Sequence, residues 1–94
     1  MYFVTGLHEE GRQFIRKRCF GYYPRKHQAL QTIEGNCDEL RDEACTHLVV
    51  EKILSGIYSA ARDTAWFRYD GASSRWIRCE RPESAGNYCQ FSLG

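Results

Sequence analysis

Ninety-four residues, with thirteen Lys or Arg against twelve Asp or Glu, a net charge of +1 and 43% hydrophobic content, make one small globular domain. A chain of this size buries only about 60–65% of the surface it exposes when unfolded, so a deep substrate cavity is hard to carve from it. Thirteen aromatics exclude disorder, near-neutrality excludes a polyanion-coating protein, and no apolar run approaches the roughly 20 residues that span a bilayer.

The opening Tyr2 to Leu7 is β-branched and aromatic and predicts a strand ending at His8-Glu9-Glu10-Gly11. With neither a basic start nor an extended apolar stretch, it is not expected to be a signal peptide, and a cytoplasmic protein follows. Arg12 to Tyr23 predicts a second strand, with Phe14, Phe20 and Tyr22 on one face, Ile15, Cys19 and Tyr23 on the other, and a basic centre suited to a sheet edge. Pro24 stops that strand and pre-sets a helix start; Ala29, Leu30 and Ile33 form one narrow apolar stripe, and Gly35-Asn36 closes it. So thin a stripe needs a sheet to lie on. Cys37 to Ala44 is acidic and weakly periodic, and fits a second short helix or an ordered loop. His47 to Leu54 is the strongest strand signal, ended by Ser55-Gly56, with Ile57-Tyr58 a short extended piece. Trp66 to Tyr69 and Trp76 to Cys79 flank Asp70-Gly71-Ala72-Ser73-Ser74-Arg75, a hairpin connection. Pro82 closes this unit, and Tyr88 to Leu93 predicts a last strand. The order predicts an α+β domain over residues 1–94: a single antiparallel sheet of about five to six strands with one or two short helices packed on one face.

Five cysteines at wide, unequal spacing (Cys19, Cys37, Cys45, Cys79, Cys89) fit buried free thiols better than a disulfide framework or a zinc site. The sequence holds no Gly-rich phosphate loop, nucleophile elbow or His-Glu-x-x-His. It is therefore expected to be no enzyme and to carry no cofactor or metal.

Several segments together resemble a group of short proteins of Firmicutes bacteria and their mobile elements, for which there is no agreed activity. They are Tyr2-Phe3-Val4-Thr5-Gly6, Arg18-Cys19-Phe20-Gly21-Tyr22-Tyr23 before an amphipathic helix, Asn36 and Asp38 after it, Val49-Val50-Glu51-Lys52-Ile53 with Gly56-Ile57-Tyr58, Trp66-Phe67-Arg68-Tyr69-Asp70, and Phe91-Ser92-Leu93-Gly94. The chain departs from that pattern at Pro24-Arg25-Lys26-His27, where a polar or acidic helix start is usual, and at Leu54 and Ser59, where proline is common. The resemblance implies a context rather than a mechanism. In that context a small protein inhibits a host defence system, for example a CRISPR effector.

Charge is unevenly spread: residues 1–27 sum to +4, residues 28–51 to −5 and residues 52–94 to +2. Two constellations stand out as binding surfaces. If Phe67, Tyr69, Ile77 and Cys79 point inward, Trp66, Arg68, Trp76 and Arg78 are left together outside, and Trp and Arg are enriched at protein-binding hot spots. The plainer alternative is that both tryptophans cover core edges with arginines stacked on them. The second is the basic aromatic strand, where Arg16, Lys17, Arg18, Tyr22, Arg25 and Lys26 would hold nucleic acid by charge and stacking; its plainer alternative is a solvated edge. The acidic segment lacks the ligand pattern of a calcium loop and fits a solvated helical face. The leading expectation is a non-enzymatic module that docks on a protein partner. The alternatives are a small nucleic-acid binder and a small-ligand sponge with its pocket at an oligomer interface.

Overall fold

A computed structural model describes residues 1–35, 45–54 and 60–86, with side chains other than those of residues 15–17, 60 and 61. The expected second helix or loop, the turn at Ser55-Gly56, the piece at Ile57-Tyr58 and the last strand lie outside those residues. The strands are β1 (Tyr2–Glu10), β2 (Gln13–Tyr23), β3 (His47–Leu54), β4 (Ala60–Asp70) and β5 (Arg75–Cys79); helix α1 (Lys26–Gly35) follows β2. All pairings are antiparallel, in the order β2-β1-β3-β4-β5. The fold is thus α+β, one antiparallel sheet with a helix packed on it. No helix among the described residues is long and apolar enough to cross a membrane.

The connectivity requires the helix. β2 and β3 both run against β1, on its two sides, so they are parallel to each other and the chain must cross over β1 to join them. α1 makes that crossing. Its start is fixed by Gln28, whose backbone N–H donates to the Arg25 carbonyl (3.2 Å) while its side-chain oxygen accepts from the Arg25 N–H (3.2 Å), a reciprocal cap. Ala29 and Ile33, both 0% exposed, seat on Val4, Leu48, Val50, Ala65, Phe67 and Trp76. Burying Ile33 alone contributes about 1.5–3 kcal/mol.

The opposite face of the sheet is also a core, which the expectation of one or two helices packed on one face did not foresee. Leu7, Val49, Trp66 and Ala85 are buried together there, with Phe14 and Cys79 against them. Ala85 belongs to a single 3₁₀ turn, Glu83–Ala85, that follows Pro82. Its Ser84 hydroxyl donates to the Glu9 carboxylate of β1 at 2.5 Å, which pins the turn to that face.

Three register shifts set which side chain faces which way. In β2 an extra residue enters at Phe20 and another at Ile15; in β4 the extra residue is Thr64, whose hydroxyl donates to the Val50 carbonyl at 2.9 Å. The bulges break the alternation expected for β2. Phe20 packs with the helix-side core, whereas Phe14 joins the opposite core and Tyr22 pairs with Phe3. Phe14, Phe20 and Tyr22 therefore do not share a face. Among the described residues β2 is an edge strand, as its basic centre implies, and bulges there deter pairing with another chain.

Candidate docking surface

The β4–β5 hairpin carries the four residues expected to form a partner site, and its register separates them. Asp70 pairs with Arg75 across four turn residues, so paired positions always sum to an odd number: Trp66 faces Cys79, Phe67 faces Arg78, Arg68 faces Ile77 and Tyr69 faces Trp76. Paired residues share a face, so Trp66 and Arg68 lie on one side and Trp76 and Arg78 on the other. The grouping of Trp66, Arg68, Trp76 and Arg78 is corrected on this point. Joining two even-numbered tryptophans requires a turn with an odd number of residues, and composition does not reveal turn parity. Ser74 holds the turn in a left-handed conformation (φ 55°), and the Ser73 hydroxyl donates to Asp70 at 2.6 Å.

Both tryptophans are inner supports, 3% and 8% exposed. Trp66 stacks on Phe14 (centroids 6.0 Å apart), carries the Arg81 guanidinium 5.7 Å above its ring and donates its indole N–H to Asp63 at 2.7 Å. Arg81 also donates to Asp63 at 2.6 Å, closing a Trp-Asp-Arg clamp. Partial burial pulls the Asp63 pKa up, but the hydrogen bonds from Trp66 and Arg81 and the Arg81 charge outweigh it, leaving it below the ordinary carboxylate value. A depressed folded pKa contributes stability that is complete above the unfolded value of about 3.9 and is lost as pH falls through the lower folded value. Asp63→Asn is expected to lower stability by about 1–2 kcal/mol at neutral pH and to flatten the acid limb below about pH 4. Urea midpoints across the acid range check this, and an unchanged limb in the variant would show that the clamp carries no stability.

Trp76 meets Tyr69 edge to face at 5.3 Å on the helix side, and its buried indole N–H has no hydrogen-bond partner among the described residues. What the hairpin leaves outside is a different set. Arg68 is exposed beside Ile77, which is 37% exposed, and on the other face the exposed Arg78 lies 5.6 Å over the Phe67 ring. Next to Arg68 across β3, burial lowers the His47 pKa, Glu9 opposes that and Arg68 adds to it. The Arg81 clamp had no signal in the sequence, because eighteen residues separate it from Asp63.

The basic strand is only partly assembled. Arg18 is exposed, its guanidinium 5.5 Å over the Phe20 ring on the helix side; Tyr22 is 61% exposed and stacks on Phe3 on the opposite side, at 5.3 Å. Arg25 is exposed and Lys26 half-buried at the entry to α1. The side chains of Arg16 and Lys17 lie outside the description. An open depression of about 470 Å³ between the end of β2 and α1 is lined by Tyr23, Gln28, Gln31, Thr32 and Gly35.

The described cysteines, Cys19, Cys45 and Cys79, are thiols rather than disulfides, and they are not uniformly buried as expected: Cys19 is exposed, while Cys45 and Cys79 are half-buried. Burial pushes the Cys79 thiol up against the opposing pull of Arg68 and Arg78. Cys37 and Cys89 lie outside the described residues. Among the described residues no cluster of His, Cys, Asp or Glu is arranged to hold a metal ion. Comparison with family models, curated proteins and solved structures finds no match.

Proposed function

We propose that the chain is a non-enzymatic binding module that docks on another protein through the β4–β5 hairpin. The observation that carries this reading is the exposed cross-strand pair Arg68 and Ile77 on a ribbon held from within by a tryptophan on each face. A buried indole on either side restricts the ribbon, so the outward side chains are positioned before contact and less entropy is lost on binding. A cation beside an exposed aliphatic side chain suits a partner surface with a carboxylate next to a shallow apolar site, and Arg is among the residues that dominate interface energetics. Arg78 extends the contact around the hairpin edge. The accessible surface is 6179 Å², and a standard contact of about 800 Å² on each partner takes roughly an eighth of it.

The sequence resemblance to mobile-element proteins makes a host defence protein, such as a CRISPR effector, the first target class to assay. The test is affinity capture from host lysate with and without nuclease, followed by titration of the recovered partner against an Arg68→Glu, Ile77→Asp double variant. A partner that survives nuclease and loses at least about tenfold in affinity supports the proposal. Recovery of nuclease-sensitive nucleic acid alone, or equal affinity of the double variant, overturns it.

A further inference from the structure

We infer that the β2 edge is a second binding site, for single-stranded nucleic acid, with Tyr22 as its stacking platform. From Gly11 to Ile33 the chain holds six Lys or Arg and no Asp or Glu, a 23-residue segment of one charge sign. Those residues form the turn into β2, the whole of that edge strand and most of α1, so the fold keeps them along one border of the molecule. Cations on an edge strand are explained by protection against strand pairing. An aromatic ring left 61% exposed beside them is not, since an edge protected by charge has no need of it.

The platform has a defined geometry. The Tyr22 ring is backed by Phe3 at 5.3 Å with 26° between the planes, so it is held in a fixed attitude while much of its area faces solvent. Every base has a π-face, so stacking on such a ring tolerates any sequence. Three and four residues beyond Tyr22 the chain turns at the exposed Arg25 and half-buried Lys26, where phosphates on either side of a stacked base would find positive charge. Around the strand edge, on the helix side of the sheet and so on the other face from the Tyr22 ring, a depression between β2 and α1 is lined by Gln28, Gln31 and Thr32. The Gln28 oxygen accepts from the Arg25 N–H and the Thr32 hydroxyl donates to the Gln28 carbonyl, which leaves the Gln28 amide N–H groups and the Gln31 amide for the edge of a following base, and no carboxylate is among the described lining residues. Arg12 is exposed at the far end of β2, roughly 30 Å away along the strand, and marks the other limit of the site. A duplex hides its base faces inside the stack, so the ligand is single-stranded.

The test uses the full chain and fluorescein-labelled oligonucleotides of about 12 residues, as single-stranded RNA, single-stranded DNA and duplex DNA. Single strands are expected to bind and duplex to bind more weakly, and comparison of the two single strands assigns the sugar. Tyr22→Ala is expected to weaken binding at least about fivefold and Tyr22→Phe to retain it, with thermal melting monitored for both. With about three phosphate contacts the affinity should fall roughly 20-fold between about 50 and 200 mM salt. Arg25→Glu with Lys26→Glu should weaken binding and flatten that slope. No binding at the lower salt, equal affinity for duplex, or affinity that depends on the cations and not on Tyr22 would each overturn the assignment.

Discussion

Trp66→Ala and Trp76→Ala are each expected to cost about 3–5 kcal/mol, a large part of the roughly 5–15 kcal/mol that holds a domain of this kind together. Both are core substitutions, one in each layer, and neither should act mainly by removing a binding surface. Phenylalanine separates the two. Trp66→Phe removes an indole N–H that donates to an ionised carboxylate at 2.7 Å and leaves Asp63 with Arg81 and its own backbone N–H, so it loses a charge-assisted hydrogen bond of about 1.5–3 kcal/mol on top of some volume. Trp76→Phe loses similar volume but also removes a buried N–H that has no partner among the described residues, a group whose burial itself costs about 1–3 kcal/mol. The expected result is that Trp66→Phe is clearly destabilising and Trp76→Phe close to neutral, read as urea midpoints at constant slope. Equal costs would remove the clamp from the account. A near-neutral Trp66→Ala would mean that the Trp66 ring contributes little to the core opposite the helix.

That patch shows where sequence reading stops. The alternation within β4 and within β5 is legible, as are the helix stripe of Ala29 and Ile33 and the apolar run of β3, because each is a local period that burial enforces. How two strands align is a different quantity. It depends on whether the turn between them holds an odd or even number of residues, and one residue more or less moves Trp76 and Arg78 to the other face. The β2 bulges act in the same way: inserting Phe20 and Ile15 divides its aromatics between two cores, and nothing in the composition marks either position. β4 runs back to Ala60 through Ala61, Arg62 and Asp63, residues with little strand preference, because β3 offers a partner ladder as far as Leu54. The second core was hidden because its cover, Ala85 with Phe14, comes from a short 3₁₀ turn and a bulged edge strand, neither of which has a periodic signature.

The hairpin and the β2 edge lie at opposite ends of the described sheet, four strand spacings or roughly 19 Å apart. Substitutions at one should therefore leave the other unaffected, since sites with no shared partners are close to additive. A protein partner and a nucleic acid can occupy the chain together. The Arg68→Glu, Ile77→Asp variant should keep its oligonucleotide affinity, and Tyr22→Ala its protein affinity.

Gly6→Ala is expected to destabilise by about 1–3 kcal/mol, and Gly6→Val by more, although glycine inside a strand ordinarily costs about 0.5–1 kcal/mol relative to alanine. The sign is reversed by what lies above the residue. A Cβ at Gly6 would run into the edge of the Phe20 ring and sit 2.6 Å from the Cys45 sulfur, so both must move. Phe20 is one of the two extra residues in β2, and the space left by the missing side chain at Gly6 is what lets its ring turn in to the helix-side core. The bulge and the glycine thus depend on each other across the β1–β2 pair. Phe20→Leu should relieve part of the Gly6→Ala penalty, giving a coupling of about 1 kcal/mol in a double-mutant cycle. Arg18 rests 5.5 Å over the same ring, so displacing Phe20 should also shift a cation of the β2 edge and weaken oligonucleotide binding modestly. A stabilising Gly6→Ala would mean that strand preference outweighs the contact and that the Phe20 ring is free to sit elsewhere.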